Sequence, residues 1–264
     1  MSRSDVALAA VLQRDRIVFL GGLVLVMGLA WGWLLLGAGM DMTAIEMTAM
    51  AGMDGRLMQP AIWTPGYALL MVSMWWVMMV AMMLPSAAPV LLIYIRIVRK
   101  NRRGDPLAPA SVFATGYLIA WGAFSLIAVG LQWALEASQL MSPMLETSNV
   151  WLGTSILVAA GLWQLTPIKE MCLRHCRTPV GFLAGSWRTG AWGPLRMGLE
   201  HGAYCLGCCW FLMALLFFGG VMNLYWIVGL AAFVLLEKTV PYGHWLGRIA
   251  GGGLVLWGAA LPFL

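Results

Sequence analysis

Residues 201–236 run for 36 positions without one Asp, Glu, Lys or Arg. As a single helix at 1.5 Å per residue this stretch would be about 54 Å long, against a bilayer hydrocarbon core of about 30 Å. Further uncharged runs occupy residues 17–36, 67–95, 106–135, 147–168 and 249–264. Lipid offers a backbone amide no partner, so each run is expected to be a helix that satisfies its own polar groups. The longest run is expected to divide at Gly219-Gly220, where glycine weakens a helix interior, with polar Asn223 just beyond. The last run is short and glycine-rich, the weakest span, expected to end near Pro262.

These runs predict an all-α, polytopic transmembrane helical bundle of about seven spans in one integral membrane domain. Within it, residues 1–16 form a cytoplasmic N-terminus, 37–66 an outer Met-rich loop, 67–238 the motif-bearing core and 249–264 the weak last span. The chain has 16 Lys or Arg and 11 Asp or Glu among 264 residues, and 61% of it is hydrophobic. A soluble domain carries about 25% charged residues, and a disordered chain combines low hydrophobicity with high charge, so both classes are excluded.

With seven spans, Arg3, Arg14, Arg16, the cluster from Arg96 to Arg103, Lys169, Arg174, Arg177, Arg188, Arg196, Lys238 and Arg248 fall on one side. Only Arg56 falls on the other, with Asp41, Glu46, Asp54, Glu136 and Glu146. Positive residues stay cytoplasmic, which sets the N-terminus inside and the C-terminus outside. The first run exceeds the 7–15 apolar residues of a signal-peptide core and reads as a retained span. The basic loop 96–103 reads as an orientation signal, so the expected partner is membrane lipid and not nucleic acid.

The five cysteines form two clusters. Cys172-Leu173-Arg174-His175-Cys176 stands where the fourth span meets the cytoplasm, its thiols one helical turn apart. It reads as a soft-metal or thiol-exchange site, or as two cysteines packed as small hydrophobes. The stronger signal is Glu200-His201-Gly202-Ala203-Tyr204-Cys205-Leu206-Gly207-Cys208-Cys209-Trp210. At 100° per residue, His201, Cys205, Cys208 and Cys209 project within about 100° of one another. One imidazole and three thiols on one face suit soft ions such as Cu(I), and also Zn(II) and Fe–S clusters; the other reading is a buried cysteine patch with a hydrogen-bonded histidine. Charged and ionisable groups inside a span are costly, so Glu200 and His201 are expected to face protein, water or a ligand.

Methionine is the second theme, with 20 in the chain. In the second span Met71, Met74, Met78 and Met82 follow spacings of 3, 4 and 4, which align them along one face. Met79 and Met83 widen that face, and Pro85 is expected to interrupt the helix. Such a stripe could pass Cu(I), with Met78 and Met82 as ligands, or simply fill irregular gaps in the packing. The outer loop adds Met40, Met42, Met47, Met50, Met53 and Met58 among Asp41, Glu46 and Asp54. It reads as an interfacial helix or a collector of metal. Glu237-Lys238 reads as a local ion pair or a snorkelling lysine.

Three groups of residues together resemble a known family: Met78-Met79-Val80-Ala81-Met82-Met83-Leu84-Pro85-Ser86; Gly198 with His201-Gly202 and Cys205-Leu206-Gly207-Cys208-Cys209-Trp210-Phe211-Leu212-Met213; and Gly220-Val221-Met222-Asn223 with Glu237-Lys238. The chain is similar, from about Trp63 to Lys238, to an uncharacterised bacterial family of predicted metal-binding integral membrane proteins, sometimes labelled copper chaperones. The resemblance implies metal binding, with copper as the metal, in a bacterial inner membrane.

The function expected is therefore Cu(I) handling: transfer, delivery or transport through the His/Cys stripe and the Met-rich face. A periplasmic or membrane metalloprotein would receive the copper. No phosphate-binding P-loop, G-x-S-x-G elbow or H-E-x-x-H motif occurs, so an enzyme is not the expectation. Two alternatives stay open: a membrane thiol-disulfide oxidoreductase using Cys172/Cys176 or Cys205/Cys208, and a structural or assembly subunit without metal.

Overall fold

The computed structural model describes residues 3–50, 62–101 and 105–264. Among them the chain is helical, with one isolated bridge between Met141 and Thr147 and no strands. The order is α1 (Arg3–Leu35), α2 (Ala44–Ala49), α3 (Pro65–Asn101), α4 (Leu107–Ala137), α5 (Val150–Leu165), α6 (Pro167–Arg177), α7 (Pro179–Ser186), α8 (Gly193–Ala214), α9 (Leu216–Gly219), α10 (Leu224–Thr239) and α11 (Gly243–Ala260), with a 3-10 turn at Leu261–Phe263. The expected all-helical class is thus found. Among the described residues five segments are long and apolar enough to cross a membrane: Val11–Leu35, Pro65–Asn101, Leu107–Ala137, Gly193–Gly219 and Gly243–Phe263. A sixth arises if α5 and α6, bent by 65°, count as one span. The remaining helix of the expected seven, α10, has 16 residues, about 24 Å at helical rise.

The breaks follow local sequence. Thr166 ends α5 and caps α6 with its side chain, and Pro167 takes the first turn of α6, where its missing N–H costs nothing. Gly220 has φ +94°, a conformation that favours glycine, and Asn223 then caps α10 through its side chain. The expected division of the long run therefore falls where glycine and asparagine placed it. The last helix starts earlier than the uncharged run suggests, because Arg248 lies within it. Pro85 and Pro89 do not interrupt the second span. Helix α3 continues through both for 37 residues, which membrane helices manage because neighbours take up the freed carbonyls.

Glycine brings two helix pairs into close contact. A Cβ on Gly198 would run into the Phe113 carbonyl, and one on Gly116 into that of Leu195, so α4 and α8 meet backbone to backbone. Gly202 continues this seam against Ala120 and Tyr117. Gly161 and Gly251 do the same for α5 and α11. Small residues at helix interfaces are the membrane solution where apolar surface alone gives no drive to associate. The bundle's outside is apolar, as at Val24, Leu25 and Leu29, while its interior holds Gln132, Lys169, His201, Glu237 and Lys238. This inside-out distribution fits a lipid surround. Asp15, 1% exposed, pairs with Arg99 at 2.5 Å and ties α1 to the end of α3.

Of the outer Met loop, Met53 and Met58 lie outside the described residues. The rest includes α2, closed at its start by a capping box in which Thr43 and Glu46 exchange hydrogen bonds. The Leu224 amide donates to Thr48 Oγ1 at 2.9 Å, docking the loop on the start of α10. Met40 and Met47 pack against the core.

Candidate metal centre

The α8 stripe faces inward as expected. His201 is 2% exposed, and Cys205, Cys208 and Cys209 are fully buried. Helix α6, turned by the bend at Thr166, brings the second cluster to the same place. The buried Cys176 thiol lies beside the thiols of Cys205 and Cys208. Cys172 is half-buried, its Sγ lying over Gly207, where a Cβ would stand 2.6 Å from the sulphur. All five thiols are free. The two Cys clusters, 29 positions apart at their nearest members in the chain, thus form one group of sulphurs.

Cys205 is the hub. Its Sγ accepts from Lys238 Nζ at 2.9 Å and lies 3.1 Å from the Tyr117 hydroxyl. The Cys208 and Cys209 thiols both donate to its carbonyl, at 3.0 and 2.9 Å. Lys238 also donates to Ser86 Oγ at 3.1 Å. Ser86 and Tyr117 in turn donate to the Met83 carbonyl, at 2.8 and 3.1 Å. The Met-x-x-x-Met-Leu-Pro-Ser, His-Gly-x-x-Cys and Glu-Lys motifs therefore converge on one spot from α3, α8 and α10.

Lys238 neither snorkels nor pairs with Glu237. It is 7% exposed and points into the thiol cluster, whereas Glu237, fully buried, is ion-paired with Lys169 of α6. Gly247 makes room for that pair, since a Cβ there would stand 2.9 Å from Lys169 Nζ. The sequence shows a charged pair at the end of an apolar helix, for which a local ion pair or a snorkelling lysine is the ordinary reading. It carried no signal for Tyr117, and Ser86 stood only as the last residue of a motif, since the neighbours of both lie on other helices.

His201 stands beside the thiols in an aromatic box of Phe182, Tyr117 and Phe113, at centroid distances of 5.0, 5.8 and 6.2 Å. Its Nδ1 is buried without a hydrogen-bond partner, an uncommon state for a buried polar atom. His175 takes no part: it is stacked on Tyr204 at 4.0 Å and bonded to the Met171 carbonyl. Met78 and Met82 are buried, at 0% and 1% exposure, with Met71, Met74, Met79 and Met83. The α3 methionines thus face protein and not lipid.

Among the described residues, no three His, Cys, Asp or Glu side chains surround a common point that could hold a metal ion. The reason lies in the hydrogen bonds: Cys208 and Cys209 are turned to the helix backbone, and Lys238 fills the space in front of Cys205. The donor types nonetheless fit a soft ion. Four buried thiols, one half-buried thiol and an imidazole nitrogen without a partner are what Cu(I) selects, and rotation of the thiols off the Cys205 carbonyl would free them.

A family model described as "PpoB2: Copper chaperone" matches residues 72–261. No characterised protein and no solved structure shows significant similarity to the chain.

Proposed function

The chain belongs to the PpoB2 copper-chaperone family, and from this we propose that it is a multi-pass membrane protein handling Cu(I) as cargo. Cys176, Cys205 and Cys208 are its principal ligands. Cys209, Cys172 and His201 are within exchange range, and Met78 and Met82 continue the path along α3. The observation that carries this reading is the convergence of buried thiols from α6 and α8 on Lys238. Several soft donors of similar strength at one spot favour ligand exchange, and hence transfer, over storage. In a bacterial inner membrane with α10 as a short seventh span, the asymmetry of basic residues puts Cys172 and Cys176 on the cytoplasmic side. A periplasmic or membrane metalloprotein is the recipient this route requires.

The test is the copper content of full-length protein purified in detergent after copper supplementation, for the parent and for the Cys205→Ser, Cys208→Ser, Cys209→Ser triple variant. Stoichiometric copper in the parent, with sulphur neighbours in X-ray absorption, and its loss in the variant are expected. A parent without copper refutes the function. Copper retained unchanged by the variant refutes the site.

A further inference from the structure

A second polar cluster lies at the other end of the α3–α4 pair. Gln132 is fully buried. Trp75 Nε1 donates to its Oε1 at 2.8 Å, which fixes the amide so that its NH2 points the opposite way. That NH2 donates to Met71 Sδ at 3.4 Å and to Glu136 Oε1 at 2.8 Å. A thioether and a carboxylate oxygen therefore converge on one point. Trp63 covers the cluster by donating from Nε1 to Glu136 Oε2 at 2.7 Å, its ring set edge-on to Tyr67.

The charge on Glu136 is unusual. Both oxygens are bonded only by neutral donors, and no ion pair to Glu136 forms among the described residues. It is half-buried. It also stands in the last turn of α4, where the helix dipole disfavours an anion. Among the described residues no cation pairs with it, and one held between it and Met71 would supply the missing charge.

We infer that Glu136 and Met71 form a second Cu(I) site, a capture point at the end of the bundle opposite the thiols, gated by Trp63 and Gln132. This rests on the Cu(I) reading above and extends it from a binding site to a route with two ends. Met71 lies 12 positions before Met83, about 18 Å along the helix. Met74, Met78 and Met82, all buried, bridge that distance one turn at a time.

The test uses full-length protein in lipid nanodiscs, labelled with [methyl-13C]methionine and titrated with Ag(I), a redox-inert stand-in for Cu(I). The Met71→Leu variant assigns the Met71 methyl signal, and bound silver is counted separately by mass spectrometry. The Met71 methyl is expected to shift with bound Ag(I), and Glu136→Gln to weaken that shift's midpoint by about tenfold or more while silver at the thiols is retained. Thiols that load while the Met71 methyl stays unmoved overturn this second site and leave the proposed function standing. An unchanged midpoint in Glu136→Gln overturns the role of the carboxylate. No bound silver anywhere overturns the proposed function, and this inference with it.

Discussion

Removing either partner of the Lys238–Cys205 contact should have unequal consequences. Lys238 is 7% exposed and, among the described residues, its Nζ hydrogen-bonds to Cys205 Sγ and Ser86 Oγ. Cys205→Ala takes away the sulphur and leaves a buried ammonium facing a hydroxyl, which for a buried pair costs about 3–5 kcal/mol. At 2–4 °C per kcal/mol for a chain of this size, unfolding should move down on the order of 10 °C. Lys238→Met removes two charge-assisted hydrogen bonds of about 1.5–3 kcal/mol each. It also removes the several-kcal/mol cost of burying the ammonium, so its net effect should lie within about 2 kcal/mol of zero. The double variant should then be more stable than Cys205→Ala alone, with a coupling energy of at least about 2 kcal/mol. Thermal unfolding in nanodiscs, followed through the protein's 15 tryptophans, reads all four corners of the cycle. Additive losses, with the double variant below both singles, would refute the view that Lys238 is held in the core by sulphur.

Three further outcomes follow from the packing and the loop. Gly198→Ala places a methyl into the Phe113 carbonyl and should cost about 1–3 kcal/mol, whereas Gly130→Ala, with nothing within 4 Å of its Cβ, should be neutral or stabilising by up to about 1 kcal/mol; the same unfolding assay separates them. Lys169→Met leaves Glu237 buried without its ion-pair partner and should destabilise by about 3–5 kcal/mol, a loss that adding Glu237→Leu should largely reverse. In the outer loop, hydrogen bonds from the Thr43 amide and hydroxyl hold the Glu46 carboxyl below its usual value of 4.5. A lowered folded pKa gives a contribution that is present above the unfolded value and lost as pH falls through the folded one. Amide exchange in α2 should accordingly quicken below about pH 4.5; Glu46→Gln should abolish that pH dependence, whereas Thr43→Ala, which keeps the amide donor and loses only the hydroxyl, should reduce it.

Much of this was legible because helical periodicity is a local property. The phases of His201, Cys205, Cys208 and Cys209 follow from 100° per residue, and the four do face inward. Gly220 and Asn223 announced the break before α10 through backbone chemistry that needs no tertiary information. Contacts between helices were a different matter. That Cys176 meets Cys205 depends on the 65° bend at Thr166, and a Thr-Pro pair signals a new helix start without giving its angle. Lys238 stood out as a charge in an apolar run, but its direction is set by the register of α10 on α3 and α8. Gln132 gave no signal at all, and Glu136 counted only as an acidic residue of the outer side, because a lone Gln near the end of a span looks like an interfacial residue until Trp75, Trp63 and Met71 are seen around it. The continuity of α3 through Pro85 was misjudged for the same reason: the freed carbonyls find partners only on neighbouring helices.

The charges along the proposed route make one last prediction. Between Met71 and Glu136, a Cu(I) ion is neutralised by one carboxylate. Between two thiolates, with Lys238 beside them, it is neutralised again: two negative sulphurs against the metal and the ammonium. Along Met74, Met78 and Met82 the thioethers carry no charge, and α3 has no Asp, Glu, Lys or Arg from Pro65 to Ile95, so a cation there finds no opposite charge on its own helix. Two opposite unit charges at 4 Å attract by about 4 kcal/mol at an effective dielectric of 20. Losing even part of that lowers occupancy of the central stripe at least about tenfold relative to the ends. Metal should therefore reside at the two ends and cross the middle only in transit, which suits delivery, since a deep central well would hold the cargo. In the silver titration, the Met71 methyl should shift at the first equivalents beyond the thiols, while the Met78 and Met82 methyls move little. Met78 and Met82 signals that shift with the same midpoint and amplitude as Met71 would show that charge does not set the profile, and the two-ended route would have to give way to a continuous thioether channel.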